Sequence, residues 1–389
     1  MHGTGTTDSH NPRSGAQRLG RSLAPRRDTQ RWRRRGGLLV LGLASAVALS
    51  ACGASGNSTS SSGSSASGSS ASAASSTKVP LVVYAAEGYD QAETQAFQQA
   101  TGIPTVLSDH STGTLLARIQ AEQGNPQWGV LWTDGSNAYA ALDQQHALLR
   151  GYEPTGALTS LGASMVPADK SYIPTGLTIA GALVYNSATV KNPPTTWQQL
   201  LSPKWRGAIG MNNPAVSGPT YTFVSGLMQQ LGGVAAGERY FSALKANGLQ
   251  IFPTNKVTLG GLLTGQIKIA IVQNSAGLGF EYKNPSIRVA YPSKVTLLPG
   301  VIGIDAHVSA TEQAEAKRFA QFVYSPQGQA LMLSGDPHGD SLFFPIIQGT
   351  SQHKLVPQLS SLPTQSVNPS VWGPREATLN QWFTNNIVQ

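Results

Sequence analysis

From residue 80 onward, short apolar runs alternate with helix-length stretches, and this alternation restricts the chain more than any other feature. PLVVYAA (80–86) is short and continuously apolar, the signature of a buried parallel strand. YDQAETQAFQQATG follows, with Ala92 and Phe97 at helical spacing and Gly102 to end the helix. IPTVLS reads as a second strand, residues 112–123 as a second helix and WGVLW (128–132) as a third strand. SNAYAALDQQHAL is a third helix, with Ser136 as its cap. Such alternation predicts βαβ units and a parallel sheet. Open sheets of this kind bind ligands beyond the carboxyl ends of their strands. Three turns leave those ends: Ala85 to Tyr89, Ser108 to Gly113, and Thr133 to Ser136. In a parallel sheet all three open on one edge.

Beyond residue 170 the pattern changes and then resumes. SYIPTGLTIAGALVYN reads as two extended segments around Ala180-Gly181. GAIGMNNP and SGPTYTFVSGLMQQLG read as strand, loop and helix, and GERYFSALKANG as a helix with Phe241 and Leu244 inward. VTLGGLLTGQIKIAIVQNSAG predicts helix, strand and polar turn, and VAYPSKVTLLPGVIGID an extended apolar run. TEQAEAKRFAQFVYSPQGQALMLSG reads as two helices parted by Ser325-Pro326. No repeat of fixed period is present, only two α/β halves.

The formal charge of +8 is concentrated at the start of the chain. Residues 1–36 hold nine arginines against Asp8 and Asp28, about +7. The other 18 basic and 17 acidic residues nearly cancel, so a nucleic-acid surface has no electrostatic basis. After the arginines, Leu38 to Ala51 is an apolar run of about 14 residues, too short to span a bilayer. A basic region, a short apolar core and small residues describe a secretory leader. Its end, Leu49-Ser50-Ala51-Cys52, resembles the bacterial lipoprotein signal, in which the cysteine is acylated. Cys52 is the sole cysteine, so no internal disulfide can form. Residues 1–51 are therefore expected to be a lipoprotein signal peptide. Residues 52–78, about half serine, are expected to be a flexible tether, since no face of them can be buried. These features imply an exported protein, lipid-anchored through Cys52 on the outer face of the bacterial cytoplasmic membrane.

The order of elements resembles the substrate-binding proteins of ABC importers, with the type II periplasmic-binding fold. The group most similar holds the ferric-iron, phosphonate and sugar-phosphate binders. LVVYAAEGYDQAETQAFQQATGI resembles the family's first strand and helix, and STGTLLARIQAEQGNPQWGVLW its second helix and following strand. ALVYNSATVKNPPTTWQQLLSPKWRGAIGMNNPAVSGPTYTF carries Tyr185-Asn186 and Pro203-Lys204-Trp205-Arg206-Gly207 at the family's intervals. AEAKRFAQFVYSPQGQALM resembles its C-terminal helices. The resemblance implies a two-lobed α/β protein with a ligand cleft between lobes. Lobe 1 would be 79–177 and 301–389, and lobe 2 would be 182–296, with chain crossings near Thr175 to Gly181 and Tyr291 to Gly300. It also implies hinge closure on a small solute, which is passed to an ABC permease by a monomer.

Within that frame the lobe-1 turns bring Glu87, Ser111, Thr112, Gly113 and Asp134 to the cleft, with Thr175 at the first crossing. Lobe 2 offers Ser217, Gly218, Thr220 and Tyr221 at one helix start, and Asn274 and Ser275 after the strand KIAIV. Hydroxyls and free N–H groups at helix starts suit an anion such as a phosphonate or organic phosphate. The same serines also read as plain helix caps. Asp134 also reads as an Asx-turn residue, and Tyr221 as packing. His110 and Arg118 read as structural and solvated. Ferric binders of the group use paired tyrosines in the turn after the KIAIV-type strand, where this chain has Gln273-Asn274-Ser275-Ala276-Gly277. Iron therefore stands as the alternative cargo, and no metal site is expected from the residues themselves. A receptor lipoprotein that presents its ligand to a membrane sensor is a further alternative. G-x-S-x-G, G-x-x-x-x-G-K-[ST], G-x-G-x-x-G and H-E-x-x-H are absent from the folded part. No enzyme activity and no cofactor are expected.

Overall fold

The computed structural model describes residues 79–156 and 158–389. The expected leader, Cys52 and the serine-rich tether lie outside the described residues. Lobe 1 begins with β1 (Leu81–Ala85), α1 (Asp90–Thr101), β2 (Thr105–Asp109), α2 (Thr112–Ala121), β3 (Val130–Asp134), α3 (Ser136–Gln144), α4 (Ser160–Ala163) and β4 (Tyr172–Ile179). Asp90 and Glu93 sit in the first turn of α1, where acidic groups suit the helix dipole. Gly102 ends α1 in the left-handed conformation at φ 65°, which glycine adopts without strain. β1 pairs parallel with both β2 and β3, so the three strand-to-helix turns do open on one edge.

Lobe 2 comprises β5 (Ala182–Asn186), β6 (Ile209–Asn212), α5 (Gly218–Gln230), α6 (Val234–Ala246), β7 (Gln250–Phe252), α7 (Asn255–Leu263), β8 (Ile269–Val272), α8 (Asn274–Lys283) and β9 (Ile287–Ala290). Its sheet runs β7-β6-β8-β5-β9, with β5 antiparallel to both neighbours. The expected polar turn at Gln273 to Gly277 is instead the first turn of α8. A Cβ on Gly277 would lie 2.8 Å from Val184 and 3.2 Å from Val289. Close seating on the sheet thus outweighs glycine's poor helix propensity.

The chain returns through β10 (Val295–Ile304), then α9 (Ala310–Val323), α10 (Pro326–Gly335), β11 (Thr364–Gln365), α11 (Pro369–Trp372) and α12 (Glu376–Phe383). Ser325 caps α10 through the Gly328 N–H, and Pro326 occupies the first turn, where its missing donor costs nothing. The chain passes between the two sheets from β4 into β5 and from β9 into β10. β4 and β10 pair antiparallel, and β10 continues along β3, so both crossing strands belong to the lobe-1 sheet.

One boundary differs. The tail of 301–389 does not stay in lobe 1: Trp372, Leu379, Phe383 and Ile387 join the core built by Tyr221, Tyr240, Phe241 and Leu244. The Phe383 ring stands 5.4 Å from that of Phe241. The spacing 372, 379, 383, 387 makes an apolar stripe that must be covered, and lobe 2 covers it. The lobe-1 core lies between its sheet and α1, α9 and α10, around Phe97, Trp132 and Phe319.

Candidate functional site

Where β3, β4 and β10 meet, the ladder is irregular. Gly300 of β10 lies opposite Asp134 on one side and Gly176 on the other. The β4 register then shifts between Gly300 and Val301, and Thr175 is left without a partner in the ladder. Bulges of this kind re-aim a side chain. Thr175 is fully buried, and its hydroxyl accepts the Trp132 indole N–H at 3.2 Å. A Cβ on Gly300 would meet Thr175 Oγ1 at 3.1 Å, Glu87 Oε1 at 3.5 Å and Asp134 Oδ1 at 3.6 Å. Three side chains from three elements therefore converge over one glycine. Glu87 and Asp134 are both buried.

Residues 273–275 and the loop after α10 close this site from the other lobe and from below. The Gln273 amide donates to Asp340 Oδ1 at 2.7 Å, to Ser275 Oγ at 2.9 Å and, more weakly, to Asp134 Oδ2 at 3.4 Å. Ser275 donates to Asp340 at 3.2 Å. Asp340 also accepts the Gly88 N–H at 2.9 Å, so it joins the first lobe-1 turn to lobe 2. Burial, then repulsion from Asp134, Asp340 and Asp90, pushes the Glu87 carboxyl well above its usual range. Burial, then the Asp340 charge, does the same to Asp134. Asp340 is pushed up to about 6 by burial and Asp336, and Asp90 to about 7 by burial and Asp109. Among the described residues none of Glu87, Asp134 and Asp340 forms an ion pair with a lysine, arginine or histidine. Among the described residues no three His, Cys, Asp or Glu are grouped so as to hold a metal ion.

The helix starts lie along the seam between lobes. The Gly113 N–H donates to the Val216 carbonyl at 3.0 Å, and a Cβ there would lie 2.1 Å from the Ala215 carbonyl. A Cβ on Gly218 would lie 2.9 Å from both Thr112 and the Asp134 carbonyl. Ser111 shares a hydrogen bond with Thr114 at 2.8 Å and makes no side-chain cap. Ser217, in contrast, caps α5, accepting from the Thr220 N–H at 3.4 Å and its hydroxyl at 3.0 Å. Tyr221 spends its hydroxyl on the Trp372 carbonyl at 2.6 Å, inside the lobe-2 core. Asn274 accepts the Ile179 N–H at 2.7 Å and so holds the end of the crossing strand β4.

The structure thus brings Glu87, Asp134, Thr175 and Ser275 to one place. It puts Ser111, Thr112, Gly113 and Gly218 on the seam, and engages Ser217, Thr220, Tyr221 and Asn274 in local bonds. Gly300, Gln273 and Asp340 were not foreseen. A glycine inside an apolar strand is a bulge signal and could have pointed to Gly300. Asp340 carries no such signal, because its partner Gly88 is 252 residues away. A separate cavity of about 560 Å³, walled mainly by Leu116, Trp128, Leu142, Pro374 and Ala377, shares only Gly113 with the expected site. Asp305, His307 and Glu376 also line it, but Glu87, Asp134, Thr175 and Ser275 do not.

Residues 93–363 match the family model described as bacterial extracellular solute-binding protein. A protein of Salmonella typhimurium named putative 2-aminoethylphosphonate-binding periplasmic protein is 23% identical over 263 residues, covering 64% of this chain and 75% of its own. AfuA from Actinobacillus pleuropneumoniae, solved with fructose-6-phosphate bound, superposes with a TM-score of 0.69 at 19% identity, covering 79% of this chain and 98% of its own. Iron-bound HitA from Pseudomonas aeruginosa does so at 0.66 and 21% identity, covering 78% and 98%. At such identities the structural matches speak for the two-lobed fold.

Proposed function

The chain belongs to the bacterial extracellular solute-binding proteins, and from that premise we propose that it captures a small phosphorus-containing organic solute between its lobes and delivers it to an ABC permease. The observation that carries this reading is the convergence of Glu87, Asp134 and Thr175 over Gly300, closed by Gln273 and Ser275 of the other lobe. A solute there touches both lobes and so favours the closed state by differential affinity. The phosphorus-containing class is supported by the phosphonate-binding relative.

The acylated Cys52 anchors a monomer to the outer face of the cytoplasmic membrane. Replacing Cys52 by alanine is expected to move the protein from the membrane to the soluble fraction; retention in the membrane would refute anchoring. Thermal denaturation against 2-aminoethylphosphonate, 3-phosphoglycerate and fructose 6-phosphate tests capture. A rise in Tm with at least one is expected, and no rise with any would contradict the solute class.

A further inference from the structure

The arrangement over Gly300 is unusual in its charge. Glu87 is only 3% exposed, and its Oε1 has no hydrogen-bond partner. Asp134 Oδ1 and Thr175 Oγ1 face the same point. A buried carboxylate without a partner is costly. The described residues supply no cation to Glu87 or Asp134. The compensating charge has to come from outside the chain, or the groups must hold protons.

We propose that Glu87, Asp134 and Thr175 form a receptor for a primary ammonium group of the solute, seated in the notch that Gly300 leaves open. This rests on the reading that the solute is held between the lobes, and it adds which end of the solute faces β10. An ammonium has three N–H donors, and the notch is ringed by three oxygen acceptors. Bonds from a charged donor to a carboxylate are the strong kind. A hydroxyl could bond to the same oxygens but would leave the charge uncompensated. A phosphate would be repelled. Gly300 matters because any side chain would fill the notch: an alanine methyl would stand 3.1–3.6 Å from all three oxygens. Asp340 is the outer wall, since its oxygens are taken by Gln273, Ser275 and Gly88. The solute is then two-ended, with an amine toward β10 and its anionic head turned away from these carboxyl groups.

The test is calorimetric titration of the full-length protein with 2-aminoethylphosphonate, 2-hydroxyethylphosphonate, putrescine and 3-phosphoglycerate. The amino compound is expected to bind roughly 10- to 100-fold more tightly than its hydroxyl counterpart, the range for a hydrogen bond to a charged group. Glu87→Gln and Asp134→Asn are each expected to remove most of that difference while the circular dichroism spectrum is unchanged. Gly300→Ala is expected to weaken the amino compound selectively. Equal binding of the amino and hydroxyl compounds, or a preference that survives Glu87→Gln, overturns the ammonium receptor and leaves solute capture standing. Binding of putrescine alone supports the receptor and overturns the phosphorus-containing class. Binding of 3-phosphoglycerate alone does the reverse. Binding of none overturns both.

Discussion

Single carboxyl groups set how the site responds to pH. Glu87 faces Asp134, Asp340, Asp90 and the Tyr89 hydroxyl, and Asp134 faces Asp340 and Gln273. In the folded state all of these carboxyls are raised, with Asp340 near 6 and Asp90 near 7. A raised acid binds its proton more tightly when folded. Its contribution to stability is full below the unfolded value of about 4 and is lost as pH rises through the folded value. The ligand-free protein is therefore expected to lose Tm between about pH 4 and pH 7, and Asp340→Asn is expected to flatten that slope. A Tm that rises over this interval would contradict the burial-driven shifts. An ammonium ligand displaces these protons, so its affinity is expected to rise with pH over the same interval, which titrations at pH 5 and pH 7.5 compare directly.

At the scale of elements, α2 and the loop before α5 meet edge to edge. Gly113 donates to Val216 across the seam, and a methyl there would clash with the Ala215 carbonyl at 2.1 Å. Gly113→Ala is expected to hold the lobes apart, lowering affinity for 2-aminoethylphosphonate roughly tenfold by penalising the closed state. An unchanged Kd would show that closure does not require this contact. The seam also marks how far the sequence could be read. The strand–helix alternation was legible because apolar period and caps are local, and it led to Glu87, Asp134 and Thr175 through the three turns and the crossing. The polar cluster at 111–114 was legible, but its contact between lobes was not, because that contact runs from the Gly113 N–H to the backbone carbonyl of Val216. The residues Trp372, Leu379, Phe383 and Ile387 join the lobe-2 core, which no sequence pattern announces, since periodicity does not say which lobe covers a face. Gly300 and Asp340 escaped because one acts by lacking a side chain and the other by a contact across 252 residues.

For the whole molecule, two α/β lobes share two antiparallel crossing strands, and the polar groups that converge do so where those strands meet. The tail that runs into the lobe-2 core through Trp372 and Phe383 adds a further tie between the halves, since Gly373 also packs on the Asn137 carbonyl of α3. Solute is expected to sit between the lobes over Gly300 and not in the cavity beside α2. Hydrogen exchange of the protein with and without saturating 2-aminoethylphosphonate tests it most directly. Added protection is expected at residues 86–90, 133–136 and 298–301 of lobe 1 together with 272–276 of lobe 2. Protection confined to one lobe, or to residues 116–128 and 373–380 around the cavity, would contradict it.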